Sequence, residues 1–299
     1  MTRPFSALWN RVSSTAKSIR GSRPRVRKQR HTSRVRRAFL ELLEERRVLA
    51  INVAVVGDIS GGDQAGFIST RDQLNNDTYF DFNATLVHST QVDTPFELSA
   101  YDVVIVSNNG FAGTDAFSNL AFTAALRNWV ETQGGGAVMT GFGILGAGNT
   151  SPPANLDIDA IIPVNTSGSY AGTHNTGTVI SNSPHLVTQG ISSLFVAQYT
   201  QLPATAPLVD AGAITLGTSG GGPAIVVGAA GTGRGVYLGP NYTGTSSYLT
   251  SDLRSGAADR LLEQAVAWAA QETSYSLTVT TSGSGSGTIT SSPAGINIP

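Results

Sequence analysis

No cysteine occurs among the 299 residues, and no lysine after residue 50. The first absence excludes a disulfide framework, a thiolate nucleophile, a thiolate zinc site and iron–sulfur ligation. It does not fix the compartment, because a large secreted domain can do without disulfides. Charged residues make up only 13% of the chain, so its surface is polar but weakly charged. Histidine is scarce as well. His31, His88, His174 and His185 show neither H-x-H nor H-E-x-x-H spacing, so no zinc site is expected and none of the glycine-rich stretches announces a cofactor. GDISGG at residues 57–62 is not G-x-G-x-x-G, and GTGRG at 231–235 lacks the G-K-[ST] of a phosphate loop.

What charge there is breaks sharply near residue 50. Residues 1–50 hold fourteen of the nineteen basic residues and three acids, whereas residues 51–299 hold five arginines and seventeen acids. The first segment is therefore a basic leader, net +11, and is read as largely disordered; the remainder, net −12, carries the only sequence able to build a core. The leader has the charge to meet an anionic membrane surface. It lacks zinc spacing, interleaved aromatics and a helix-turn-helix pattern, so nucleic acid is not expected as a partner.

From Ile51 the pattern is α/β. Ile51–Val56 reads as a buried strand ending at Gly57-Asp58, Ala84–His88 as a second and Val103–Val106 as a third, broken by Ser107-Asn108-Asn109-Gly110. Thr114–Thr132 repeats apolar residues at helical spacing from Phe117 to Val130 and stops at Gly134-Gly135-Gly136; Ala137–Thr140 follows as a strand. Strand, helix and strand of these lengths predict a right-handed parallel crossover. Residues 144–205 are loop-rich and are expected to hold short irregular strands or a small helix at the rim. Strands are expected at Leu208–Asp210, Ala213–Leu216, Pro223–Gly228 and Gly235–Gly239, and a closing helix at Ser255–Ala270. After Tyr275, Leu277–Val279 and Thr288–Thr290 alternate around a glycine turn, which predicts a hairpin.

Three phrases, in order, resemble the class I glutamine amidotransferase-like superfamily, in its non-amidotransferase, trehalose-utilisation-like branch. They are Tyr101–Ser107, Ser183–Ile191, and Gly233–Gly239 followed by Leu261–Ala270. The resemblance implies a three-layer, flavodoxin-like parallel sheet over residues 51–271. FLELLEERRVLA, residues 39–50, resembles a short N-terminal surface or secretion motif of Planctomycetes through Leu43, Glu44, Arg46 and Leu49. Leu277–Ile296 resembles the start of a bacterial extracellular repeat, with Asn297-Ile298-Pro299 where a cysteine commonly follows. The domains expected are thus a leader at 1–50, the α/β domain at 51–271 and a partial β-repeat at 272–299.

In a glutamine amidotransferase the nucleophilic cysteine sits at a tight turn after a strand, where backbone N–H groups hold the oxyanion. The turn matching it here is Thr140-Gly141-Phe142, and Phe142 cannot attack a carbonyl. The absence of cysteine rules out glutamine hydrolysis by a Cys-His-Glu triad. Weak catalytic candidates remain in His185, which falls in a family phrase, in Asp58 after the first strand, and in the hydroxyl of Thr140. A local packing role competes with each. Asp58, Asn108, Asn109, Phe111, Phe142 and His185 are the ligand-binding candidates, since open α/β sheets place ligand contacts at the carboxyl ends of their strands. Amides, a carboxylate and rings suit a neutral polyol or sugar. The leading expectation is a non-catalytic extracellular or surface module that binds carbohydrate or a surface protein, without cofactor. The alternative is a hydrolase of sugar derivatives acting through loop acids and His185.

Overall fold

Valines at alternate positions of Ile51–Val56 (β1) enter two different cores. Val53 and Val55 join one buried cluster and Ala54 and Val56 the other, which is possible only for a strand covered on both faces. The computed structural model describes residues 50–57, 63–76, 78–110, 115–150, 154–180, 184–191, 195–248, 251–271, 289–290 and 297–298. By internal contacts the chain divides into Met1–Arg46 and Arg47–Pro299, and all described residues belong to the second unit.

After β1 come α1 (Ala65–Leu74), β2 (Phe82–Val87), α2 (Pro95–Leu98), β3 (Val103–Val106), α3 (Asp115–Ser118), α4 (Leu120–Gln133), β4 (Gly136–Thr140), α5 (Gly143–Gly148) and α6 (Ala154–Asp159). Then follow β5 (Tyr170–Ile180), β6 (Phe195–Pro203), β7 (Ile214–Ser219), β8 (Gly222–Ala230), β9 (Gly233–Leu238) and α7 (Gly256–Ala269), with β10 (Ile289–Thr290) and β11 (Asn297–Ile298) in the tail. The first nine strands form one sheet in the order β2-β1-β3-β4-β9-β8-β7-β5-β6. β2, β1, β3, β4 and β9 run parallel, and from β8 onward each strand is antiparallel to its neighbour.

Three layers result. Phe67 and Leu74 of α1 and Leu261, Leu262, Ala265 and Val266 of α7 pack on Val103, Ile105, Val138 and Val236. Phe122, Leu126, Trp129 and Val130 of α4 cover the opposite face with Val104, Val106, Met139 and Tyr237. Fully burying one such side chain contributes roughly 1.5–3 kcal/mol, and both faces are lined by them. The expected flavodoxin-like α/β sheet is the observed fold.

The structure departs from the sequence pattern in four places. The helix read over 114–132 is interrupted at Asn119, whose backbone is extended and whose side chain accepts from Phe122 N at 3.2 Å, capping α4. Gly134, at φ 81°, closes α4 as expected. Residues 170–203 are not short rim strands but a long antiparallel pair, β5 with β6, running from Tyr170↔Pro203 to Thr178↔Phe195. Leu208–Asp210 is no strand; Val209 makes only an isolated bridge with Val164. In the tail, Ile289 and Thr290 pair with Ile298 and Asn297 across the second turn, while Leu277–Val279 lies outside the described residues.

The register positions the site. Val56 lies opposite both Val87 and Val106, Val106 opposite Met139, and Thr140 opposite Leu238. Gly57, Ser107, Gly141 and Gly239 therefore leave the sheet side by side along its carboxyl edge, on both sides of the point where the strand order reverses between β1 and β3.

Candidate functional site at the carboxyl edge

β4 ends in a turn that only a glycine followed by a left-handed residue can make. A Cβ on Gly141 would lie 2.5 Å from Gly239 O, so no larger residue fits. Phe142 follows at φ 69°, ψ −4°, one of three non-glycine residues with positive φ among those described. For an aromatic residue this conformation costs on the order of 1–3 kcal/mol and persists only where the surroundings impose it. They do so through rings. Phe142 stacks on Tyr199 at 4.5 Å with an interplanar angle of 16° and meets the edge of Tyr248 at 5.0 Å. Gly110 closes the other side, where a Cβ would come within 2.6 Å of the Phe142 ring. Phe142 is 5% exposed.

Two backbone donors after this turn, those of Ile144 and Leu145, are already engaged. Gln201, from β6, accepts from Ile144 N at 2.9 Å and Leu145 N at 3.4 Å through its Oε1. Beneath the turn, Ser107 Oγ lies 2.9 Å from Gly141 O and 3.1 Å from Thr140 O. Thr140 is fully buried, its Oγ1 3.0 Å from Thr243 Oγ1, and Thr243 donates to Asn108 O at 3.3 Å. The Thr140 hydroxyl is a structural crosslink between β4 and the loop after β9, closed to any substrate.

Asn108 and Asn109 build the neighbouring wall. Asn108 Oδ1 accepts from Gly110 N at 2.7 Å, shaping its own loop. Asn109 Nδ2 donates to Asp63 O at 3.3 Å, and Asn109 O accepts from Thr245 N at 3.1 Å. Thr140, Asn108, Asn109 and Phe142 are thus brought together. Asp58 and Phe111 lie outside the described residues.

His185 is not brought to this edge. Its Nδ1 accepts from Val187 N at 3.2 Å, capping the 3₁₀ turn Leu186–Thr188, and its ring packs on Trp268 at 5.3 Å. Arg234, which lies over Trp268 at 4.7 Å and donates to Trp268 O at 2.7 Å, stands in register with Gly136, the first residue of β4. His185 therefore belongs to the amino end of the sheet, where burial and the Arg234 guanidinium hold its pKa below the usual value. His88, with its ring accepting from Thr90 N, caps a 3₁₀ turn after β2.

Several residues of this edge were missed from the sequence. Tyr199 and Gln201 sit on β6, and Asn241, Thr243, Thr245, Ser246 and Tyr248 on the segment after β9. His174 meets Tyr199 edge-on at 4.8 Å, and burial, aided by Tyr170 and Tyr248, pushes the Tyr199 phenol up to about 12. Asp63 clasps this segment: its carboxylate accepts from Ser246 N at 2.6 Å, from the Ser246 hydroxyl, and from Ala65 N at 3.0 Å, which together hold its pKa below the ordinary range. The rule that strand-end loops carry ligand contacts could have found the 239–248 segment, had it been applied beyond Gly239. Nothing in the pattern of residues 195–203 announced Tyr199. Among the described residues no three His, Asp or Glu side chains come together in a way that could hold a metal ion.

No family model and no curated protein matches the chain. Solved structures do. Cytoplasmic protein STM1381 from Salmonella typhimurium LT2 superposes with a TM-score of 0.56 at 15% identity, covering 73% of this chain and 99% of that one. Cytoplasmic protein STM3548 from Salmonella typhimurium gives 0.55 at 15% identity, covering 73% and 98%. A ThuA-like protein from Parabacteroides merdae ATCC 43184 gives 0.52 at 14% identity, covering 74% and 90%. The expected extracellular or cell-surface location is overturned, since two of these neighbours are named cytoplasmic proteins and nothing in the described residues speaks for secretion. The comparisons carry nothing on the motif at 39–50 or the repeat-like tail. What they establish is the architecture: the α/β body has the fold of the ThuA-like, glutamine amidotransferase-like proteins.

Proposed function

We propose that this protein is a non-catalytic binding module that takes a neutral carbohydrate at the carboxyl edge of its sheet. The observation that carries the reading is the Phe142 turn. The strained geometry that presents a nucleophile in this fold is kept, yet the position holds a phenyl ring packed between Tyr199, Tyr248 and Gly110. The hydroxyl of Thr140, two residues earlier, is sealed in a hydrogen bond, and the N–H groups of Ile144 and Leu145 are occupied by Gln201. An acyl-transfer site needs a free nucleophile and free oxyanion donors, and the Thr140 hydroxyl and the Ile144 and Leu145 N–H groups are already taken. Amide, hydroxyl and aromatic groups dominate it instead. Exposed His174 and Tyr170 and half-buried Tyr248 flank Tyr199, which gives a ring surface beside hydrogen-bonding groups, the usual composition of a site for an uncharged polar ligand.

The hydrolase alternative required His185 beside loop acids. Its ring is committed to Trp268 and Val187 N instead, so that reading is not adopted. Isothermal titration of the full chain against neutral mono- and disaccharides tests the proposal, together with turnover assays on glycoside, ester and amide substrates. Saturable heat without turnover is the expected result. Turnover that disappears in Thr140→Val or His185→Ala, or no heat with any sugar at millimolar concentration, would sink it.

A further inference from the structure

Buried polar atoms without hydrogen-bond partners gather on the two segments that wall the Phe142 turn. Asn241 is fully buried with neither Nδ2 nor Oδ1 bonded, and Gln201 Nε2, Thr200 Oγ1 and Thr245 Oγ1 share that condition. The segments are laced together by Gln201 N donating to Gly239 O at 2.9 Å and Asn241 N donating to Tyr199 O at 3.1 Å. An unpaired buried polar group costs about 1–3 kcal/mol, and native structures retain one where something else supplies the partner.

The unpaired groups are held in place. Gln201 Oε1 is fixed by Ile144 N, which leaves Nε2 as a pinned donor. The Asn241 amide rests against two glycines: a Cβ on Gly244 would lie 2.2 Å from Nδ2, and one on Gly141 would lie 3.1 Å from the Asn241 Cβ. None of these groups carries charge; the Asp63 carboxylate tied to this segment is already bound by Ser246 and Ala65, and the Arg254 guanidinium by Tyr242 O and Gln73. A pinned carboxamide presents one acceptor and one donor side by side. That pair matches two neighbouring hydroxyls, one donating and one accepting.

We infer that Asn241 is the specificity-determining anchor of this edge, gripping a vicinal diol of a neutral sugar with Oδ1 accepting from one hydroxyl and Nδ2 donating to the next. The inference rests on the carbohydrate reading above and names the group that reads the sugar. Because Asn241 is buried in the ligand-free fold, the diol reaches it when residues 244–248, which cover its Nδ2, swing away from their ties at Asp63–Ser246 and Asn109–Thr245, while Asn241 to Thr243 stay anchored through Tyr199 O, Thr70, Arg254 and Thr140.

The test is titration calorimetry of the full chain with the methyl glycosides of glucose, galactose and mannose, followed by the monodeoxy analogues of whichever binds. Removing either hydroxyl of one adjacent pair is expected to weaken binding about tenfold or more, because the deoxy sugar leaves an anchor atom unpaired. Asn241→Ala is expected to bind the parent glycoside correspondingly more weakly and to lose discrimination between parent and deoxy forms, with thermal unfolding reporting whether the variant is folded. Equal affinity across the deoxy series on the unmodified chain overturns the anchor while leaving the carbohydrate reading intact, whatever the variant does. A sugar-bound crystal structure with only water on the Asn241 amide overturns it in the same way. No heat with any parent glycoside removes both.

Discussion

Phe142 is the residue on which sequence and structure meet most directly. The sequence places it at the turn after β4, and the structure gives it the left-handed backbone that the turn demands. Glycine at 142 is therefore expected to be more stable than alanine, reversing the usual order, because only glycine adopts φ near 69° freely. Both variants lose the ring stacked on Tyr199 and should fall below the parent by about 3–5 kcal/mol, less about 1 kcal/mol for glycine, in urea melts. Phe142→Ala melting above Phe142→Gly would show that the turn is not strained. Gly141→Ala is the companion test: its Cβ would meet Gly239 O at 2.5 Å, so a strong loss of stability is expected. His185 supplies a prediction in pH. Burial, and then the Arg234 guanidinium, hold its pKa in the folded state below the usual histidine value, so the folded state favours the neutral ring. The stability this contributes is present above the unfolded pKa and is lost as pH falls from there through the folded pKa. His185→Gln should flatten that acid-side slope in thermal melts; an unchanged slope would assign it elsewhere.

At the scale of elements, legibility followed hydrophobic pattern. Val103–Val106 was read without error because four consecutive apolar residues, bracketed by Tyr101-Asp102 and Ser107-Asn108, admit few alternatives. α4 was read from its apolar stripe, and only its start was misplaced, because Asn119 can sit in a helical pattern and still prefer to cap. Asn119→Ala should therefore cost about 1 kcal/mol. β5 and β6 escaped because β5 is threonine- and glycine-rich and mostly exposed on both faces, so no alternation marks it; its pairing is set by β6 and β7. With β6 unread, Tyr199 and Gln201 could not be placed at the site. The Asp63–Ser246 clasp joins elements 183 residues apart and was equally invisible. Its carboxylate has a depressed pKa, so the clasp is fully formed above the unfolded carboxylate pKa and is released as pH falls through the folded one. Amide exchange at Ser246 should accelerate over that acid range in the parent and be uniformly fast in Asp63→Ala. No pH dependence in the parent beyond the intrinsic exchange chemistry would contradict the clasp.

For the whole molecule, the parallel half of the sheet and the antiparallel strands β7 and β8 beside it are legible in the sequence, and the outer pair β5–β6 is not. The legible strands are carried by buried aliphatic residues, whereas β5 is threonine- and glycine-rich and mostly exposed. The fold nonetheless delivers what a carboxyl-edge site needs: β1, β3, β4 and β9 end together, and β6 comes round to bring Tyr199 and Gln201 against the turn after β4. The turn after β4 is strained and carries a phenyl ring stacked on Tyr199, and the proposal of binding over turnover rests on that pairing. A crystal structure of the full chain soaked in the tightest-binding neutral glycoside tests this most directly. The account predicts sugar density at the carboxyl edge, against Tyr248 and the Asn241 segment, with Phe142 still packed on Tyr199. Sugar bound elsewhere, or the Phe142 ring displaced to expose a nucleophile at the turn, would contradict it.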